Sequence, residues 1–453
     1  MITKKRILIL LPTGMTIRNI ISTRIIEHIL ENSPHEIICS VNNPSKYLTY
    51  IEHERVKFID FHEKKLISFT NLILLILRRR FYSINENKTL NIMKKGPFSS
   101  DLTTTLMSYL NYPFPKSIRL FNFFKHALSF FYRPLNEIES QFLQHKPDLV
   151  FSTHLVAKHE FDYLMSARKN KVPTIGMVKS FDNLTGKGFL PYETDYTILW
   201  NDIMQKEIVD IYKYDERKTV VTGVPQFDIY KEKPEISRQA FLDKYNLSSN
   251  KKIILFATNH HTISPDDQKN IDYIASKLKI LNAQMIVRLH PTDNLERYNG
   301  LNFNNVCFQV PGIGEGQGSH ERVAYQEFLA DIRDTLYFSD VTINTASTMT
   351  LDASALDKPV INIAYDWEHK PYYQSVRRYY DFLHYEPIIK SNGTSLAKSI
   401  DDLYHLIDSY LKNPDIKKME RKNLVGSMLA GNKGNAAISV SNAVLEVLNG
   451  KNS

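Results

Sequence analysis

The chain has 453 residues, too many for one ordinary core, so two domains of roughly 200 residues are expected. Hydrophobic residues at 43% and charged residues at 23% are ordinary globular composition and exclude a chain that is disordered in bulk. The net charge of +8 is concentrated at the front: residues 1–135 hold 20 Lys/Arg against 9 Asp/Glu, and the remainder is slightly acidic.

Lys4-Lys5-Arg6 followed by Ile7 to Leu11 imitates a secretion signal, but the apolar run stops at Pro12 and no cleavage site follows. It reads as a first β-strand. Short apolar, β-branched runs continue the series at Glu36–Val41, Val56–Asp60, Asp148–Ser152, Thr174–Val178, Thr197–Trp200 and Thr219–Thr222. After residue 250 they recur at Lys252–Ala257, Gln284–Leu289, Val306–Val310, Val341–Asn344 and Pro359–Ile363. Helical stretches separate them, which is the pattern of parallel βαβ units. The two cysteines, Cys39 and Cys307, lie far apart in apolar runs. They make neither a disulfide framework nor a metal cluster, fit a reducing compartment, and read as buried packing residues.

Residues 61–145 break the rhythm with a helical, basic and aromatic insertion. Its apolar run Phe69–Leu77 is far short of the roughly 20 residues that span a bilayer, so an integral membrane protein is not expected. Leu72–Arg80 and Phe121–Arg133 interleave apolar residues with Arg and Lys. That pattern suits an anionic membrane surface better than a nucleic acid, and equally suits core-facing helices with solvated basic faces. Val224–Asp228 and the charged stretch to Pro234 read as an exit strand and a linker. Domains of residues 1–230 and 231–453 follow, with one further helix near Ala436–Leu448. Doubly wound sheets bind ligands at the C-terminal ends of their strands, so candidate residues are sought in those loops.

The run from Ser339 to Ala353 is the strongest such segment. A strand ends at Asn344, hydroxyl residues including Ser347 and Thr348 make the turn, and a helix follows. Unpaired N–H groups there suit a diphosphate, and Asp352 one turn on suits ribose hydroxyls; a plain Ser/Thr cap with a helical Asp is the blander account. Val287-Arg288-Leu289-His290-Pro291 ends a strand with two groups suited to phosphate oxygens. Thr258-Asn259-His260-His261 ends another, and its adjacent histidines are expected to diverge rather than ligate a metal.

In the first half, Ser180 to Gly188 follows a strand and offers Asp182 as general base for an acceptor hydroxyl, or else only an Asx-turn. His154, after the strand ending at Ser152, is the alternate base. Gly312, Gly314, Gly316 and Gly318 form a mobile loop with no Gly-Lys-Ser/Thr after it, so it is not a P-loop. The Tyr-, Arg- and His-rich run Trp367–Tyr385 fits interdomain packing, with stacking on a base or sugar as the alternative. No Asp-x-Asp triplet occurs, which argues against metal-bridged diphosphate binding; no metal site is expected.

Asp182-Asn183-Leu184-Thr185-x-Lys187-Gly188, Val221–Asp228, Arg288-Leu289-His290-Pro291 and Asn344-x-Ala346-Ser347-Thr348-Met349-x-x-Asp352-Ala353 occur in that order. Together they resemble the GT-B glycosyltransferases of bacterial capsule and O-antigen clusters. The second half is also similar to the CDP-glycerol glycerophosphotransferases of teichoic acid synthesis. Where those carry an Asp-Tyr-Ser-Ser turn, this chain has Asn344-Thr345-Ala346-Ser347-Thr348. The resemblance covers about residues 150–390 and implies an α/β fold of two Rossmann-like, doubly wound domains facing a cleft. It implies nucleotide binding by the second domain through Ser347, Thr348, His290 and Asp352. It further implies an acceptor, glycan or lipid-linked, held by the first domain at the inner membrane face.

The expectation is therefore a cytoplasmic, peripherally membrane-associated glycosyltransferase. It would move sugar from a nucleotide sugar to a growing surface polysaccharide, with no cofactor beyond the donor. Asp182 is the expected base, and His290, Arg288 and the helix after Asn344 would stabilise the departing diphosphate. Polyol-phosphate transfer from CDP-glycerol is the nearest alternative. A nucleotide-sugar epimerase and a non-catalytic scaffold follow.

Overall fold

In a sheet covered by helices on both faces, every side chain of a central strand is buried, so such strands read as unbroken apolar runs. Ile7 to Leu11 and Ile253 to Phe256 show this directly, with 0–2% exposure at each residue. The computed structural model describes residues 3–63, 69–85, 87–96, 117–156, 158–187, 189–300, 303, 305–312, 327–431 and 433–450. Gly188, Gly314, Gly316 and Gly318 lie outside the described residues. The chain divides into two units, Met1–Pro225 with Asn435–Ser453, and Gln226–Gly434.

In the first unit the strands are β1 (Arg6–Leu11), β2 (Glu36–Val41), β3 (Val56–Asp60), β4 (Leu149–Ser152), β5 (Thr174–Met177), β6 (Tyr196–Leu199) and β7 (Thr219–Val221). They form a parallel sheet in the order β3-β2-β1-β4-β5-β6-β7. The edge strand β3 carries Lys57 and Asp60 exposed, a charged rim of the kind that discourages further strand pairing. The winding reverses between β1 and β4, so the loops after those strands flank the switch point where doubly wound sheets take ligands.

The second unit repeats the plan with β8 (Lys252–Ala257), β9 (Ala283–Arg288), β10 (Val306–Gln309), β11 (Val341–Asn344), β12 (Val360–Ile363) and β13 (Ser395–Ala397). All pairs are parallel, in the order β10-β9-β8-β11-β12-β13, with the switch between β8 and β11. Its core joins Ile254, Met285, Val287, Ile343 and Ile361 of the sheet to Ile271, Leu403 and Ile407 of the covering helices. The helix Ile400–Lys412 starts where Ser399 accepts from the Asp402 N–H, and Asp401 and Asp402 meet its positive end.

The twelve strands expected in the two series are present, with ends shifted by no more than one residue. The exit strand expected at Val224–Asp228 is instead a 3-10 helix over Pro225–Lys231, where proline cannot donate to a strand ladder. The strand that was not expected, β13, is three residues of Ser-Leu-Ala, too short to register as an apolar run. The division falls after Pro225 where the sequence places it near residue 230, and the helix Ala436–Leu448 goes with the first unit. Ser441 Oγ donates to the Ile25 carbonyl at 2.9 Å, and Lys5 Nζ donates to the Leu448 carbonyl. Val440 and Val444 of this helix are fully buried, a burial that chain order alone does not reveal.

The insertion is helical where described: Phe69–Ile84, Lys88–Lys95, Ile118–Phe131 and Asn136–His145. Part of its basic charge is spent inside the unit, since Lys125 is 7% exposed and pairs with Glu193 at 2.9 Å. Among the described residues no helix is long and apolar enough to cross a membrane. Cys39 is buried as expected, whereas Cys307 is only half-buried because β10 lies at a sheet edge. Burial pushes both thiols up to about 12, away from nucleophilic use.

Candidate active site

In the second unit the loops after β8, β9 and β11 are tied together by hydrogen bonds. Thr258 Oγ1 accepts from the His290 N–H at 2.9 Å and donates to Asp293 at 3.1 Å, joining the first two loops. Asn259 Nδ2 donates to the Thr345 carbonyl at 2.8 Å, and Ser264 Oγ lies 3.1 Å from Thr345 Oγ1, joining the first to the third. Asp267 anchors the β8 loop by accepting from the Asn259 N–H and the Ser264 hydroxyl. It is fully enclosed, and burial pushes its carboxyl up to about 7.

The turn after β11 is held open by a left-handed residue, Ala346 (φ +41°), whose N–H donates to the Tyr380 hydroxyl at 3.2 Å. Asn344 supplies the framework. Its Oδ1 accepts from Ser347 N, Thr350 Oγ1 and Asn362 Nδ2 at 3.2, 3.1 and 3.0 Å. Asn344, expected as a nucleotide ligand, is wholly buried and shapes the turn through Oδ1, while its Nδ2 has no partner among the described residues. Ser347 is half-buried and Thr348 exposed, and the Thr348 side chain makes no capping bond. Asp352 is half-buried, with Oδ1 accepting from the Tyr230 hydroxyl at 2.6 Å. Tyr385 backs the turn through Thr350 Oγ1 at 3.0 Å, so this part of the aromatic run supports the turn within its own unit.

Arg288 and His290 part ways. Arg288 is 4% exposed, and its Nη1 donates to Asp331 Oδ2 at 2.7 Å while its Nη2 has no partner among the described residues. Burial alone would raise the Asp331 carboxyl, but Arg288 and Lys244 outweigh it and hold that carboxyl below its ordinary range. Arg288, expected to contact phosphate, makes a buried ion pair with Asp331 of the helix Phe328–Phe338. His290 is half-buried beyond the end of β9. Its Nδ1 accepts from the Thr292 N–H at 3.2 Å and lies 2.6 Å from Thr292 Oγ1, which leaves the ring proton on Nε2. Burial, with neighbouring His260, pushes the ring down to about 4, so it stands neutral. The rings of His260 and His261, expected to diverge, lie 4.3 Å apart at 34°, because both residues are in a loop where strand alternation no longer applies.

In the first unit His154 follows β4 and Asp182 follows β5, within electrostatic reach of each other. Lys179 Nζ donates to His154 Nδ1 at 3.4 Å, so the neutral ring carries its proton on Nε2. Burial first, then Lys179, depress the His154 ring well below its ordinary value. Lys179 is itself pushed down to about 8 by burial and by Lys187. Glu160 lies fully buried beneath, accepting from the Ser152 hydroxyl and the His154 N–H, with its carboxyl pushed up to about 7 by burial. Asp182 accepts from Asn183 Nδ2 at 3.0 Å and pairs with Lys187 at 2.7 Å, and its side chain remains 20% exposed. A single π-type turn, Asn183–Lys187, carries it where an Asx-turn was the plainer expectation.

A family model described as CDP-Glycerol:Poly(glycerophosphate) glycerophosphotransferase matches residues 179–446, more than half of the chain. The chain belongs to that family. The match opens at Lys179 and takes in Asp182 and all the strand-end loops of the second unit. This glycerophosphotransferase-family chain is accordingly a transferase. No curated protein sequence matches it.

Solved structures of similar fold include a putative UDP-N-acetylglucosamine 2-epimerase from Listeria monocytogenes, with TM-score 0.60 and 9% identity over 99% of this chain and 97% of that one. S. aureus MnaA with UDP gives 0.59 and 12% over 98% and 97%. The wall teichoic acid polymerase TagF, in a variant soaked with CDPG, gives 0.51 and 11% over 98% and 89%. These likenesses establish the GT-B-like fold of two Rossmann-like sheets expected from the sequence.

Sequence reasoning passed over Lys179 and Glu160. Lys179 had a signal, a lysine directly after a buried strand. Glu160 had none, because only the fold brings it beneath Ser152.

Proposed function

We propose that this chain transfers a polyol phosphate, of the glycerol phosphate class, from a CDP-activated donor to a hydroxyl of a growing surface polymer. The family match over residues 179–446 carries this reading, because it spans both Asp182 and the strand-end loops of the second unit. The sequence alone put sugar transfer first; the family moves polyol-phosphate transfer ahead of it.

In this reading the second unit holds the donor through Ser347, Thr348, His290 and Asp352, and the first unit supplies the base. Asp182 takes the proton of the acceptor hydroxyl, whose oxygen bonds to the β-phosphorus of the donor. The bond from that phosphorus to the bridging oxygen breaks, and CMP leaves with the electron pair. Positioning and electrostatic stabilisation suffice for such a transfer. Asp182 is favoured over His154 because burial and Lys179 depress the His154 ring well below its ordinary value and so weaken it as a base. The acceptor is lipid-linked at the inner face of the membrane, a placement supported by the positive charge of residues 1–135.

Sugar transfer from a nucleotide sugar remains the second reading, favoured by the Asn344–Thr348 turn that departs from the Asp-Tyr-Ser-Ser turn of the glycerophosphotransferases. A thermal-shift screen separates the two, since a ligand bound to the native state alone raises Tm by mass action. CDP and CDP-glycerol are expected to raise Tm more than UDP, GDP and their sugar conjugates. A shift with a UDP- or GDP-sugar and none with CDP would reverse the order.

A further inference from the structure

His260 was set aside on the sequence as one of two adjacent histidines, and the structure gives it a defined place. The same local device occurs twice, at the ends of neighbouring parallel strands β8 and β9. In His260-His261-Thr262, Nδ1 of His260 accepts from the Thr262 N–H at 3.3 Å and lies 2.7 Å from Thr262 Oγ1. In His290-Pro291-Thr292 the corresponding distances are 3.2 and 2.6 Å. Both rings therefore hold Nδ1 inward as an acceptor and keep their proton on Nε2, which makes no hydrogen bond among the described residues.

The position of His260 follows from the two residues before it. Thr258 is bonded to the β9 loop through His290 N, and Asn259 is bonded to the β11 turn through the Thr345 carbonyl. His260 thus leaves the β8 end between His290 and the turn that carries Ser347 and Thr348, at the switch between β8 and β11. It stands close enough to His290 for a charge on one ring to oppose a charge on the other. Two oriented Nε2–H donors on neighbouring strand ends are each poised to give a hydrogen bond to an anion. Among the described residues no three His, Cys, Asp or Glu side chains are grouped to hold a metal ion.

We propose that His260 is a second imidazole ligand of the donor's phosphates, acting with His290 as a matched pair of N–H donors; this rests on the donor-site reading given above. Ring orientation is set by Thr262, and His261, exposed beside it, has no part in the contact.

The test is calorimetric titration of the full chain with CDP and with inorganic pyrophosphate, for the wild type and for His260→Gln, His261→Gln and Thr262→Val. His260→Gln is expected to weaken both ligands at least tenfold. Thr262→Val, at an exposed position where folding is not at stake, is expected to weaken them about threefold by releasing the ring, and His261→Gln to leave them unchanged. CDP and pyrophosphate bound by His260→Gln or Thr262→Val as tightly as by the wild type overturn the assignment and leave the donor site standing. An equal loss in His261→Gln overturns it too, since the effect would then belong to the loop rather than to one ring. A wild type that binds neither ligand overturns the donor site itself and His260 with it.

Discussion

The C-terminal strand ends of the two units share a topology and differ in chemistry. In the first unit the groups around His154 and Asp182 are ionisable and displaced from their ordinary behaviour: Glu160 is pushed up to about 7 and Lys179 down to about 8. In the second, the β11 turn is framed by hydroxyls and carboxamides beside the neutral His290 ring, and the displaced carboxyl of Asp267 is enclosed by hydrogen bonds within the β8 loop. Displaced proton affinities gather where protons are moved, and pre-set neutral donors where an anion is held. The contrast supports the division of labour proposed here, a base in the first unit and a donor site in the second.

Four substitutions sharpen or break that contrast. The largest effect is expected for Asp182→Asn, which removes the base and should lower kcat by roughly 10²–10⁴, the usual contribution of general base catalysis, with little change in donor KM. Steady-state release of nucleotide checks it, and a loss confined to KM would move Asp182 to the binding side. Next comes Arg288→Ala, which removes the buried partner of Asp331 and leaves that carboxyl to Lys244, Tyr245 and Gln309. It should cost about 1.5–3 kcal/mol of stability by denaturant titration, the scale of a hydrogen bond to a charged group. Donor affinity per folded molecule should stay near normal, and a selective loss of affinity would restore Arg288 to the phosphate site.

The third effect concerns pH. Glu207 keeps Oε2 out of solvent with no hydrogen-bond partner among the described residues, and burial pushes its carboxyl up to about 8. The folded chain holds a proton that the unfolded chain releases, so this group's contribution is present at low pH and lost as pH rises towards about 8. Relative to Glu207→Gln, the wild type should lose roughly 2 kcal/mol between about pH 6.5 and 8, at about 1.36 kcal/mol per pH unit. Urea denaturation of both proteins across that range checks the slope, and parallel profiles would contradict it. The smallest effect is expected for Ser347→Ala, about 1 kcal/mol or fivefold in CDP affinity, the scale of one hydrogen bond. An unchanged affinity would leave the backbone of the turn, rather than its hydroxyl, as the contact.

Strands were legible in the sequence because two-sided burial writes them as apolar runs, as in Ile7–Leu11 and Ile253–Phe256. β13 was not, since Ser395-Leu396-Ala397 is a strand only by virtue of lying beside β12. The site was legible by segment rather than by side chain. Asn344, Ser347, Thr348 and Asp352 do share one turn and helix start, yet only coordinates show Asn344 facing inward on Thr350 and Asn362. Arg288 and His290 stand two apart, which in a strand would give them one face. β9 stops at Arg288, so the two diverge, one to Asp331 and the other to Thr292. His260 was hidden for a similar reason, because its meaning lies in bonds made by Thr258 and Asn259 to other strand ends.

The most direct test is the identity of the nucleotide released in turnover. Purified protein is mixed with a lipid-linked polymer acceptor and with CDP-glycerol or a panel of nucleotide sugars, and the products are separated by chromatography. The account expects CMP, formed from CDP-glycerol in step with acceptor extension and abolished by Asp182→Asn. Release of a nucleoside diphosphate from a nucleotide sugar, with CDP-glycerol left intact, would contradict it.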